Sequence, residues 1–115
     1  MTDIHERADE RRYVPGTSML DPEPDVPRWT FLTNHAHVLI AISRQPELRQ
    51  RDIAYQVGIT TGAVQRILDE LEHEGYISRT KVGRRNIYEV VTERPLRHPL
   101  ENEHTVGDLI TTLDQ

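Results

Sequence analysis

The sequence predicts an α+β domain, mostly α, in which three helices form the core, a β-hairpin closes it and a short helix ends the chain. Three observations predict it. Apolar residues recur at helical spacing in Ile53, Ala54 and Val57 and, after Gly58-Ile59-Thr60, in Val64, Ile67, Leu68 and Leu71, so each run is one face of a helix. An earlier run of the same period, Val38, Leu39 and Ile42, supplies the third helix. Finally, Tyr76 to Val82 and Ile87 to Val91 flank Gly83-Arg84-Arg85-Asn86, which is hairpin composition with a basic turn.

Taken in order, residues 1–27 carry three Arg against seven acids and include Pro15, Pro22, Pro24 and Pro27, with few large apolar groups. Such a segment cannot build a core face and is expected to be a flexible acidic arm. Folding is expected to start near Trp29, because Trp29, Phe31 and Leu32 form the only dense aromatic cluster and are expected to pack on the domain or on a second copy. Thr33 is placed to cap the first core helix, which Pro46 ends. Glu47-Leu48 is expected to add a short strand to the hairpin sheet. Arg49, a poor capping residue, precedes the next helix.

Between the second and third helices, Gly58 is suited to the left-handed conformation that stops a helix, and Thr60 to accept a backbone N–H at the start of the next. The turn is therefore very short, as in a helix-turn-helix. After the hairpin, residues 93–104 hold Pro95 and Pro99 and are expected to form an extended strap. Residues 105–115 are expected to form a last helix with a Thr105/Asp108 capping box and the stripe Val106, Leu109, Ile110 and Leu113, used for packing or dimerisation.

Composition narrows the function. At 115 residues and 36% hydrophobic, the chain supports one small core. The absence of cysteine excludes disulfides and thiolate metal sites. His35 and His37 are two apart on a helix and point in different directions, so no metal ligation is expected. With no phosphate loop and no nucleophile-base order, no cofactor and no enzyme activity are expected. No run approaches the length of a membrane span, and a cytoplasmic protein is expected. The net charge of −5 conceals a partition, because residues 28–98 carry eleven Arg and Lys against eight acids while residues 99–115 carry four acids and no Arg or Lys. A local basic footprint therefore survives within an acidic chain.

The order helix, helix, hairpin with a basic tip resembles the winged helix-turn-helix transcription regulators of the MarR-like and ArsR-like kind. The resemblance rests on Ile53-Ala54 to Gly58-Ile59-Thr60 to Val64, on Leu68-Asp69-Glu70-Leu71-Glu72 running into Gly75-Tyr76-Ile77, and on Gly83-Arg84-Arg85. It implies a winged-helix domain over residues 28–92, sequence-specific binding of double-stranded DNA, and a homodimer. Helix 60–74 would enter the major groove and the 83–86 wing would meet the backbone or minor groove.

Residue chemistry gives the expected contacts. Gln65 and Arg66 are the long side chains on the early exposed turns, suited to base edges. Thr60, Thr61 and Gly62 surround a helix N-terminus that favours phosphate. Arg49, Arg51, Arg79, Lys81, Arg84, Arg85 and Asn86 supply the charge and polarity for backbone contact. The acids from Asp69 to Glu74 are expected to face away from DNA. The rival reading is a winged helix that binds protein and not DNA, which the acidic net charge favours. Nothing in the sequence identifies an effector ligand.

Overall fold

In a computed structural model of the chain, which describes residues 27–114, the first helix is α1 (Asn34–Arg44). The expected arm lies outside the described residues save for Pro27. Thr33 caps α1 by accepting the Ala36 N–H at 3.3 Å, and Val38, Leu39, Ala41 and Ile42 are buried along one stripe. Helix α2 (Gln50–Val57) starts at Arg49, whose side chain makes no capping bond, and ends at Gly58 with φ 88°. That angle is available to glycine at little cost and lets the chain turn at once into the next helix. Helix α3 (Thr61–His73) is capped by Thr60, which accepts the Ala63 N–H at 3.1 Å, and buries Val64, Ile67, Leu68 and Leu71. At its far end the Tyr76 N–H donates to the Leu71 carbonyl at 2.8 Å and the Gly75 N–H to the Glu72 carbonyl at 3.1 Å. This Schellman closure carries the buried Tyr76 ring back onto the core.

The hairpin consists of β1 (Ile77–Val82) and β2 (Arg85–Val90), antiparallel, with Ile77 opposite Val90, Arg79 opposite Tyr88 and Lys81 opposite Asn86. Its turn is shorter than the expected four residues. Gly83 and Arg84 alone make it, and Gly83, at φ 64°, takes the left-handed position of a two-residue turn. Arg85 and Asn86 belong to the ladder, not to the turn.

Two further expectations are corrected. Glu47-Leu48 adds no strand: the sheet has two strands among the described residues. Pro46 does accept the Tyr88 N–H at 3.1 Å, but the Leu48 N–H turns back to the Gln45 carbonyl at 3.2 Å, so pairing stops after one bond. The strap is not extended either. It doubles back, with the Leu96 N–H on the His104 carbonyl and the Val106 N–H on the Arg94 carbonyl, both at 2.9 Å, and Pro95 bridged to Thr105. Pro99 sits second in a turn closed by the Glu101 N–H on the His98 carbonyl at 2.8 Å, where its fixed φ starts a reversal.

Helix α4 (Val106–Leu113) carries the expected Thr105/Asp108 capping box. Val106 is buried in the same cluster as Ile42, Ile53 and Leu68, and Ile110 packs against it. Arg44 at the end of α1 pairs with Asp114 at 3.0 Å. The terminal helix therefore packs on its own domain. Trp29 and Phe31 do not: they form an edge-to-face pair at 5.1 Å and stand 57% and 92% exposed.

Candidate nucleic-acid interface

The first turns of α3 are bare. Thr60 spends its hydroxyl on the cap, and Thr61, Gly62, Gln65 and Arg66 lie on the open side of the helix. A Cβ placed on Gly62 would meet nothing nearer than Thr60 Oγ1 at 3.9 Å, so a phosphate or base edge has open access to that turn. Helix N-terminal N–H groups favour an anion there.

The later turns of α3 are acidic, and their charges are answered within the domain. Arg79 Nη2 lies 3.1 Å from both Asp69 Oδ1 and Glu72 Oε1. Glu70 lies 2.6 Å from His35 Nε2 and 3.5 Å from Arg66 Nη1. The hydrogen bond from His35, aided by the charge of Arg66, holds the Glu70 carboxyl below the usual carboxylate range against the opposing effect of desolvation. Arg94 donates to the Glu74 backbone carbonyl at 2.7 Å and lies over the Tyr76 ring at 5.2 Å. It closes the end of the helix, a role that nothing in sequence spacing signals.

The expected contact residues therefore divide. Arg79, expected from the sequence to meet DNA, faces inward. Its side chain is only 20% exposed, it crosses Tyr88 at 5.8 Å, and its two carboxylate partners lie on α3. The signal is present in the alternation, since Arg79 is two residues from the buried Ile77 and shares its face. What Arg79 holds is the root of the hairpin against α3. Arg66 is exposed but tethered to Glu70, and Arg85 donates to the Glu47 carbonyl at 2.5 Å.

Arg49, Arg84, Arg85 and Asn86 line one open cleft of about 380 Å³ between the start of α2 and the hairpin tip. Arg51 is exposed on the first turn of α2, and Lys81 is exposed opposite Asn86. Among the described residues, Arg49, Arg51, Lys81 and Arg84 enter no ion pair. No group of three or more His, Asp or Glu among the described residues could hold a metal, and no described helix is long and apolar enough to cross a membrane.

Residues 33–82, from the cap of α1 to the end of β1, match the MarR family profile. The winged helix-turn-helix of this chain is MarR-like. The MarR family is one of transcription regulators, not of enzymes. Among solved structures, the chain is similar to a protein described as a predicted DNA-binding transcriptional regulator from E. coli, at 19% identity and TM-score 0.50, over 69% of this chain and 72% of that one. It is also similar to MepR, a transcription regulator of the Staphylococcus aureus multidrug efflux pump MepA, at 17% identity and TM-score 0.49, over 97% of this chain and 71% of that one. A third similar structure is the PcaV transcriptional regulator from Streptomyces coelicolor, at 20% identity and TM-score 0.46, over 78% of this chain and 63% of that one. The likeness to the first is one of fold. No curated protein matches the sequence significantly.

Proposed function

We propose that this protein is a sequence-specific double-stranded DNA-binding transcription regulator, with the MarR-like α3 in the major groove and the wing on the backbone or minor groove. The observation that carries the reading is the distribution of unanswered charge. The acids of α3 at Asp69, Glu70 and Glu72 are paired inside the domain. Arg49, Arg51, Lys81 and Arg84, which enter no ion pair among the described residues, lie at the start of α2 and on the wing, whereas Arg28, Arg94 and Arg97, also outside ion pairs, belong to the segments before α1 and after β2. A duplex presents phosphates on both sides of each groove, so a bare helix turn flanked by such cations matches its charge pattern. Gln65 then offers a bidentate amide to adenine and Arg66 a fork to guanine.

The test is duplex binding at low and moderate salt. Binding that weakens steeply with salt, and less for one sequence than for others, supports the reading. A folded protein that binds no duplex at low salt refutes it and favours a protein-binding module, which the exposed Trp29 and Phe31 would serve.

The protein acts as a homodimer in this reading. Support comes from the same aromatic pair, together with Leu113, which is 40% exposed at the end of α4. Sedimentation showing a monomer at tens of micromolar would remove the dimer and leave the DNA reading in place.

A further inference from the structure

The carboxylate of Glu70 stands between two helices. Its Oε1 lies 2.6 Å from His35 Nε2 on α1, and its Oε2 lies 3.5 Å from Arg66 Nη1, one turn earlier on α3. An exposed pair spaced four residues apart is weak on its own, because both side chains give up rotamer freedom to meet. Here a second partner alters that balance. His35 comes from another helix and fixes one oxygen, so the other is held toward Arg66 before any ligand arrives. Direction matters as well. Glu70 lies on the C-terminal side of Arg66, whereas the bare turn around Gly62 lies on the N-terminal side. In the free protein the guanidinium is drawn away from the turn that faces a groove.

We propose that Glu70, held by His35, is a specificity-determining residue that withholds Arg66 from indiscriminate phosphate contacts and yields it only to a base edge. The inference rests on the DNA-binding reading above. A solvated phosphate offers the guanidinium little more than the carboxylate it must leave. Guanine presents O6 and N7 in fixed geometry and accepts two N–H bonds at once. Specificity is the difference between those two exchanges, and raising the cost of the wrong one increases it.

The experiment measures binding of two duplexes, the preferred site selected by the natural protein and a scrambled one, across a salt series. The chains compared are the unaltered protein, Glu70→Gln, His35→Ala, Arg66→Ala and the Glu70→Gln/Arg66→Ala double variant. Glu70→Gln should raise affinity for the scrambled duplex about two- to fivefold, the range an exposed ion pair is worth. It should also steepen the salt dependence by up to about 0.9 in log K against log salt, equivalent to one more neutralised phosphate, and narrow the ratio between the two duplexes. His35→Ala should move the same quantities in the same direction by less.

A general gain from removing one negative charge survives in the Arg66→Ala background. Release of Arg66 does not, so the steepened slope should vanish in the double variant. Unchanged scrambled-duplex affinity and slope in a Glu70→Gln chain that is folded at the assay temperature would overturn the inference and leave the DNA reading standing. So would an equal change in both backgrounds. Failure of the unaltered protein to bind either duplex would overturn both.

Discussion

Arg79→Met separates a residue that shapes the interface from one that touches DNA. Methionine keeps an unbranched apolar stem against Tyr88 but removes the guanidinium that lies 3.1 Å from Asp69 and Glu72 and 5.8 Å from the Tyr88 ring. Hydrogen bonds to charged groups contribute about 1.5–3 kcal/mol when protected from water. Both acids here are substantially exposed, Asp69 at 74% and Glu72 at 45%, so water takes over much of their solvation once Arg79 is gone. The buried Arg79 Nε, which has no hydrogen-bond partner, is removed at no cost. The balance is a destabilisation of about 1–2 kcal/mol, which lowers the melting temperature of a domain this small by about 5–15 °C.

Two assays decide the matter. Thermal melting should show the destabilisation, and the slope of log K against log salt for duplex binding should stay at the level of the unaltered protein. A slope reduced by about 0.9 with melting unchanged would place Arg79 on the DNA instead, because that is the signature of a side chain that neutralises a phosphate.

Arg84→Ala with Arg85→Ala should weaken binding to all sequences together, reducing the salt slope by about 0.9 for each phosphate the wing no longer neutralises. An unchanged slope in the folded double variant would take the wing out of the interface. Thr60→Ala removes the cap accepted from Ala63 and should cost about 0.5–2 kcal/mol in a denaturant titration. Acid should destabilise the fold through Glu70 and Asp108. The carboxyl of Glu70 is lowered first by the His35 hydrogen bond, and that of Asp108 first by the Thr105 backbone N–H and then by His104. A depressed carboxyl contributes stability that is complete above its unfolded value and lost as pH falls through the folded one. Melting temperature should therefore drop as pH falls below the ordinary carboxylate range, and less steeply in a Glu70→Gln/Asp108→Asn chain.

The helices and the hairpin are legible in the sequence because their signals are local. Periodicity marks Val64, Ile67, Leu68 and Leu71 as one buried face, and the caps at Thr33, Thr60 and Thr105 follow from hydroxyls placed just ahead of apolar runs. The segments that depart from expectation depend on partners distant in sequence. Glu47-Leu48 has the place of a strand, yet only the bond from Tyr88 to Pro46 forms, because the chain turns at Leu48. Pro95 and Pro99 suggest an extended strap, whereas Pro99 opens a reversal that pairs the two halves of the segment.

At the candidate interface, the exposed face of α3 follows directly from its buried one. The state of its charges does not. His35 and Glu70 are 35 residues apart and meet only because α1 crosses α3, and no sequence pattern encodes that approach. Arg79 differs in kind. Its charge groups it with the wing tip, although the alternation that buries Ile77 already turns it inward.

If the early turns of α3 read base sequence, Gln65→Ala should abolish part of that reading without disturbing the fold. Gln65 is exposed, and no hydrogen bond ties its side chain among the described residues, so stability should change by no more than about 0.5 kcal/mol. The measurement is a selection from random duplexes with the unaltered and the substituted protein, followed by affinities for the two enriched sites. Preference should collapse at one or two base pairs, at a cost of about 1–3 kcal/mol on the preferred site and less on other DNA. The same enriched site bound with the same affinity by the folded Gln65→Ala protein would mean that α3 does not read bases through this side chain.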